Sequence, residues 1–329
     1  MMQYIQSPST DPYFNLALEQ HIFDNLDRNN SYFMLWQNMN AVIIGKHQNT
    51  IAEINAAYVS EHGIAVVRRL SGGGAVYHDL GNLNFTFIAD SGEQGFDFSV
   101  FCKPVAQALT MFGVPVEISG RNDMTIGGKK FSGNAQYMKR GRVMHHGTML
   151  YDSDLEAMGR ALNASPDKIE SKGIKSVPSR VVNIKPYMPQ DLPIASFRDA
   201  LRDFMFKEYA LRPYTLTPHD FEIVRRLRDT VYSQWDWNYG TSPAYSIRKE
   251  RRVEGCGKIE VFMDVAEGKI GSIAFYGDYF GNGDSVELTR RLQGCALEEN
   301  VIRKALSNMD IGLYFNNCSL DDLVSILLV

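Results

Sequence analysis

The sequence predicts an α+β protein. Short strand-like runs separated by glycine turns fill the first half of the chain, helical spacing takes over beyond Leu150, and a hairpin followed by helices recurs beyond Ser246. Strands followed by segregated helices do not make the regular alternation of a doubly wound sheet. The expected division is a large unit over residues 1–245 and a smaller one over residues 246–329.

The first helix has a clear start. Asp11 is a good N-cap and Pro12 suits the first helical position, while Phe14, Ala17, Leu18, His21, Ile22 and Leu26 recur at helical spacing. Strand-like runs follow at Tyr32–Trp36 and Ala41–Ile44. A helix from about Ile54 to His62 stops at Gly63, and Ile64–Val67 is a short apolar strand entering Arg68-Arg69. Leu83–Ile88 alternates as a strand, Ser99–Phe112 is an amphipathic helix closed by Gly113, and Val116–Ile118 is another strand. Gly127-Gly128 and Lys139-Arg140-Gly141 mark two hairpin turns. Helical segments follow near Asp154–Leu162, Ala195–Tyr209 and Pro218–Thr230. In the second unit Lys258–Val265 and Lys269–Tyr276 pair across Glu267-Gly268, before helices at Ser285–Leu292, Glu298–Leu306 and Leu320–Leu328.

Composition narrows the function. A chain of 329 residues with 44% hydrophobic and 22% charged residues is ordinary globular material. A net charge of −4 and a pI near 6.0 argue against a broad basic face for nucleic acid, and leave room for a local cationic pocket. Met1–Pro8 lacks the basic start and apolar run of a signal peptide, and no apolar stretch is long enough for a membrane span. Cys102, Cys256, Cys295 and Cys318 are scattered without a Cys-x-x-Cys pair, so neither a disulfide framework nor a structural zinc site is expected. The default compartment is a reducing cytoplasm.

Three clusters carry candidate chemistry. The first is Arg68-Arg69-Leu70-Ser71-Gly72-Gly73-Gly74-Ala75-Val76-Tyr77-His78-Asp79, where three glycines let backbone N–H groups approach an anion and the arginines can add charge-assisted bonds. It is neither a Walker loop nor a dinucleotide fingerprint, and alone it also reads as a surface turn. The second joins Gly120-Arg121-Asn122-Asp123 to Lys129-Lys130-Phe131-Ser132-Gly133-Asn134-Ala135. Alternation on a strand lets one lysine enter a pocket while the other stays in water, and the small residues Ser132, Gly133 and Ala135 leave room for a ligand. An exposed hairpin end would look the same. The third is His145-His146-Gly147-Thr148, of which at most one histidine faces a site; no third ligand at useful spacing supports a metal centre.

Taken in order, these motifs resemble the lipoate–protein ligase branch of the biotin/lipoate ligase superfamily. The likeness begins at Ser9–Glu19, runs through Trp36, Gly45, Gln48-Asn49 and Arg69–Asp79, and continues at Gly120–Asp123, Lys130–Ala135, His145–Thr148 and Lys172–Asn183. Trp235–Gly240 and Arg291–Gly294 carry it into the second unit. The resemblance implies a catalytic domain of mixed β-sheets with surrounding helices and a small α+β C-terminal accessory domain. It implies ATP-dependent activation of lipoate to lipoyl-AMP with release of pyrophosphate. Transfer then goes to a lysine of lipoyl-domain proteins, the 2-oxoacid dehydrogenase E2 subunits and the glycine cleavage H protein. Lys130 would hold the carbonyl and α-phosphate oxygens of the mixed anhydride. Arg69, Gly73, Gly74, Ala75, Val76 and Tyr77 would contact ATP, with Asn122 and Asp123 near the nucleotide and Asp123 meeting Mg²⁺ through it. Leu16, Ser71, His78, Lys130, Ser132, Ala135 and His146 would line the lipoyl pocket. Lys172–Asn183 resembles the adenylate-binding loop, with Arg180 as its anion contact; Pro178 departs from the arginine of the family pattern.

Relatives of the same superfamily compete with this reading. An octanoyl or lipoyl transferase needs a catalytic cysteine, whereas Cys102 reads as core and no cysteine is expected near the three clusters. A biotin ligase shares the chemistry, but the arginine–glycine run and Lys-Phe-Ser-Gly-Asn-Ala follow the lipoate pattern. A non-catalytic lipoate-binding protein would have no need of both Lys130 and Arg69.

Overall fold

Central strands buried on both faces build one large sheet that separates two layers of helix. The structure, a computed structural model, describes residues 1–90, 98–119, 123–162, 180–239, 247–266 and 268–328. Asn122, the run 172–179 and the proposed division at residues 245 and 246 lie outside these.

The sheet has the order β11-β1-β2-β6-β10-β9-β8-β7. Its strands are β1 (Met2–Gln6), β2 (Ser31–Trp36), β6 (Asn82–Asp90), β7 (Glu117–Ser119), β8 (Asp123–Ile126), β9 (Lys129–Lys139), β10 (Arg142–Leu150) and the two-residue β11 (Arg212–Pro213). β1 runs parallel to β2 and β11; the rest is antiparallel, through the hairpins at Gly127-Gly128 and Arg140-Gly141. A second sheet, β4-β3-β5, joins β3 (Ala41–Ile44), β4 (Ala65–Arg68) and β5 (Val76–His78).

Register decides which side chains share a face. Thr86 lies opposite His146, and His146 opposite Ala135, so these three form a row across β6, β10 and β9. On this face packs α1 (Pro12–Asn25), with Leu18 and Ile22 against Met34, Ile88 and Met144. Asp11 caps the helix by accepting from Tyr13 N, with Pro12 in its first turn. The opposite face carries Phe33, Phe85, Phe87 and Phe131. It is covered by α4 (Ser99–Met111) and by the helix Ile194–Tyr209 through Val105, Leu109, Phe197, Leu201 and Met205. Burying two apolar faces on one sheet is the main stabilising element of such a layered domain.

Residues beyond 246 gather around a core of their own. A three-stranded sheet, β12 (Ile247–Val253), β13 (Gly257–Ala266) and β14 (Lys269–Gly277), packs Ile259, Val261, Ile273 and Phe275 against helices carrying Leu288, Leu292, Ile302, Leu306, Leu323 and Leu327. Among the described residues no helix is long and apolar enough to cross a membrane.

Candidate functional site

β4 ends where the chain must turn back over the edge of its own small sheet, and the turn is the glycine loop. Gly73 has φ +88°, in the left-handed region where a Cβ is strained, and a Cβ on Gly72 would stand 2.3 Å from the carbonyl oxygen of Tyr279. Both positions therefore require glycine, the first for conformation and the second for close approach by another backbone.

The two arginines before the loop have different fates. Arg68 spends its guanidinium on the carbonyls of Gly45, Lys46, Gln48, Trp237 and Asn238 and on Thr50 Oγ1, which ties the Gly45–Gln48 turn to the Trp235–Asn238 segment. Arg69 is buried and donates to Ile43 O, Ser71 Oγ, Gly72 O and Gly74 O at 2.7–3.1 Å. Burial pulls both guanidinium groups down to about 10, still well above neutrality, so both stay charged. Three Arg69 donors thus shape the loop itself, and the fourth ties it to β3.

Behind the loop runs a chain of buried polar side chains. Ser71 Oγ lies 2.6 Å from His146 Nε2, and His146 Nδ1 lies 3.0 Å from Glu19 Oε1. Thr86 Oγ1 donates to the same carboxylate oxygen at 2.5 Å and itself accepts from Trp36 Nε1 at 2.8 Å. His78 is buried beside them, with Nδ1 3.1 Å from Asn38 Nδ2. Burial, then the charge of Arg69 and the neighbouring His146, drives its pKa down to about 3, so the ring is neutral; its Nε2 has no partner among the described residues. Leu16 and Ala135 are buried on the same side of the large sheet.

Lys130 stands at the other end of the same strand face. Its Nζ pairs with Asp123 Oδ1 at 2.7 Å, both side chains being about one-third exposed (39% and 35%). A Cβ on Gly133 would lie 2.8 Å from that ammonium, so glycine there lets the lysine fold back along β9 towards Ala135. Lys129 is exposed. Arg180 and Val182 clamp the Lys130 backbone, its N–H donating to Arg180 O and its carbonyl accepting from Val182 N–H. Gly74, Ala75 and Val76 form the partly exposed rim, and Tyr77 is buried with its hydroxyl on Asn40.

Some expected members stand apart. Ser132 accepts from Asn134 Nδ2 and belongs with Asn134 and Gln136 on the face of β9 opposite Ala135. His145 likewise faces the α4 layer, stacked between Phe85 and Phe101. There the expectation that no cysteine lies near the three clusters is corrected: Cys102 Sγ is 3.8 Å from His145 Nε2. Both are fully buried on the far side of the sheet from Ser71, Arg69 and His146, so this cysteine cannot serve chemistry at the glycine loop. Among the described residues no three His, Cys, Asp or Glu side chains gather as a metal site.

Sequence reasoning missed two features. Glu19 was seen as part of a motif but not as a buried acid, although its place one turn from Asn15 and near Ile22 on a helix face that is otherwise buried is a legible signal. The second is the segment 277–282 of the C-terminal unit. Gly277 N–H donates to His47 O at 2.7 Å, Gly73 N–H points at Tyr279 O at 3.4 Å, and Asn282 Oδ1 accepts from Met138 N–H at 3.1 Å. Phe280 packs against Ala135 and Phe98, and Tyr279 stacks on His47 with ring centroids 4.4 Å apart. Contacts made by backbone across some 200 residues of sequence leave no local pattern to read.

With this geometry in view, comparison with known proteins is informative. Residues 11–206 match the family model of the lipoyl protein ligase A/B catalytic domain, and residues 242–327 that of the bacterial lipoate protein ligase C-terminus. The chain is 43% identical to lipoate-protein ligase LplJ of Bacillus subtilis, covering 96% of this chain and 97% of that one. It is 42% identical to lipoate–protein ligase 1 of Staphylococcus aureus, over 99% and 100%. Among solved structures, the fold superposes on LipL1 of P. falciparum in complex with lipoate at a TM-score of 0.80, covering 100% of this chain and 99% of that one at 22% identity. A lipoate-protein ligase A bound with ATP aligns at a TM-score of 0.61 and 26% identity, over 73% of this chain and 98% of that one. A bipartite lipoate protein ligase of Thermoplasma acidophilum, solved as a lipoylation system with its E2 lipoyl domain, aligns at 0.64 and 28%, over 75% and 98%.

Proposed function

The chain belongs to the lipoate–protein ligase family, and from that premise we propose how its site carries out ATP-dependent ligation of lipoate to protein. It is an enzyme of this type. A lipoate carboxylate oxygen attacks the α-phosphorus of ATP, the bond to pyrophosphate breaks, and lipoyl-AMP forms. The ε-amine of an acceptor lysine then attacks the acyl carbon, the bond to AMP breaks, and the amide forms with loss of a proton to solvent.

The observation that carries the reading is the end-to-end match of both units to lipoate–protein ligases. The geometry supports roles for the residues. Lys130 is a partly exposed cation placed by Gly133 beside the face of Ala135, suited to charge developing on the acyl carbonyl and α-phosphate oxygens. Arg69 holds Gly72 and Gly74 so that the loop can present its backbone to the nucleotide, with Ala75, Val76 and Tyr77 continuing that contact. Leu16, Ser71, His78, Ala135 and His146 wall the acyl side, and the unpartnered Nε2 of His78 supplies a polar point within it. Ser132, on the other face, is left out of the pocket. Asn122 and Arg180 are kept as nucleotide contacts.

Mg²⁺ arriving with ATP would find a hard oxygen ligand in Asp123, in keeping with the one or two carboxylates such a site needs. Its chemistry would be to neutralise phosphate charge. The proposed acceptors are lipoyl-domain proteins, and the proposed compartment the cytoplasm. Purified protein mixed with ATP, Mg²⁺, lipoate and an unmodified lipoyl domain should give one lipoyl adduct by intact mass, dependent on both ATP and free acid. Modification without ATP would favour a transferase.

A further inference from the structure

Arg69 and Glu19 are opposite charges, 5% and 1% exposed, that do not touch. A buried charge is costly unless compensated, and among the described residues hydrogen bonds join these two through Ser71 and His146. The hydrogen-bond directions along this path follow from its two ends. Arginine can only donate, so Ser71 Oγ accepts from Arg69 Nε at 3.0 Å. At the other end the Glu19 carboxylate can only accept, so His146 Nδ1 donates to Oε1 at 3.0 Å, and the Nε2 of a neutral imidazole then accepts the Ser71 proton at 2.6 Å. From the other side Trp36, also a pure donor, polarises Thr86, whose hydroxyl donates to the same oxygen. Two fixed donors therefore converge on one carboxylate, and each bond strengthens the next.

We infer that Glu19 is a positioning residue for adenylate formation, setting Arg69, and through it the glycine loop, by way of His146 and Ser71. This rests on the ATP-dependent reading above. The carboxylate is the counter-charge that keeps the guanidinium turned onto Gly72 O and Gly74 O, at 2.7 and 2.9 Å. Without it the Arg69 charge loses its compensation, and the loop backbone that meets the nucleotide loses its frame.

The test is a double-mutant cycle in the full chain, read by lipoate-dependent pyrophosphate release. Glu19→Gln keeps the shape and an acceptor oxygen but removes the charge. It should lower kcat/KM for ATP by about tenfold, while Glu19→Asp, which keeps the charge, retains most of it. In a Ser71→Ala background, where the path is already cut, Glu19→Gln should change kcat/KM for ATP by less than about twofold. Additive losses in the two backgrounds would overturn the inference. So would a fall confined to lipoate with ATP parameters unchanged, the signature of a plain pocket wall. If Glu19→Gln does not melt cooperatively, the cycle is run with His146→Leu, which cuts the same path and must likewise lose its effect on kcat/KM for ATP in the Ser71→Ala background. An unaltered chain that releases no pyrophosphate with lipoate and ATP would sink the ligase reading instead.

Discussion

At the scale of single residues, neighbours of the same type are separated by what their donors meet. Lys129 and Lys130 adjoin on β9, yet one is exposed and the other pairs with Asp123 and lies along Gly133. Lys130→Ala should therefore lower activation and transfer by two orders of magnitude or more (roughly 10²-fold), with an unchanged melt, because it removes the cation proposed for the reacting oxygens and no core contact. Lys129→Ala should stay within about twofold of the parent. Equal losses in both variants, measured by pyrophosphate release and intact mass, would undo the assignment. Alternation made this pair legible in the sequence. Arg68 and Arg69 were not separable in that way: both suggested anion contacts, and the fold gave the Arg68 guanidinium to carbonyls of residues 45–48 and 237–238 and to the Thr50 hydroxyl. Where a guanidinium finds a cluster of outward carbonyls depends on tertiary approach, which no spacing encodes.

Among secondary-structure elements, the parts with strong local signals were readable and the parts built by pairing were not. The capped α1, the glycine-stopped α4 and the two hairpins of β8, β9 and β10 follow from caps and turns within a few residues. β1 and β12 escaped. The first is a five-residue strand at the start of the chain, placed by parallel pairing with β2; the second, Ile247–Val253, carries five consecutive charges and exists because β13 pairs with it. The glycine loop belongs with the readable parts, since three glycines after a strand announce close backbone approach. Its function as an element is tested by Gly73→Val. A β-branched residue at φ +88° is strained, so a loss of about 1–3 kcal/mol in stability is expected from a denaturant titration. Nucleotide affinity should fall by far more than this accounts for once the variant is compared under folding conditions. A folded Gly73→Val protein that binds ATP normally would show that the loop is a turn and nothing else.

At the level of the whole molecule, the C-terminal unit sits directly on the glycine loop of the N-terminal one, and His47 is at the junction. Its ring stacks on Tyr279, and burial lowers its pKa to about 3 against 6.5 for a free histidine, as it does for His78. Above about pH 6.5 neither state of the protein binds these protons; between 6.5 and 3 only the unfolded state does, so stability falls as the pH drops through that window. The expected slope is about 1.4 kcal/mol per pH unit per histidine. Thermal melts between pH 7 and 5 should show it, and His47→Gln should flatten it by one histidine's share. The same junction separates the two half-reactions. Tyr279 O and Phe280 lie against Gly72, Gly73 and Ala135, covering the loop proposed to align ATP and the carboxylate. Activation brings two anions together and gains most from closure that fixes their geometry and excludes water. Transfer starts from a high-energy adenylate and must admit the lysine of another protein, so it needs that cover withdrawn. The hydrophobic clusters of the large unit around Phe33, Leu18 and Val42 contain no residue beyond 239, so a fragment ending at Tyr245 keeps them. We predict that this fragment, once circular dichroism and a cooperative melt show it folded, loses lipoate-dependent pyrophosphate release yet lipoylates a lipoyl domain from supplied lipoyl-AMP. Gly72→Ala in the full chain should act in the same direction, because its Cβ collides with Tyr279 O and lifts the cover while the large unit stays intact. Activation at the parental rate by the folded fragment would show that the C-terminal unit is no part of the adenylating site.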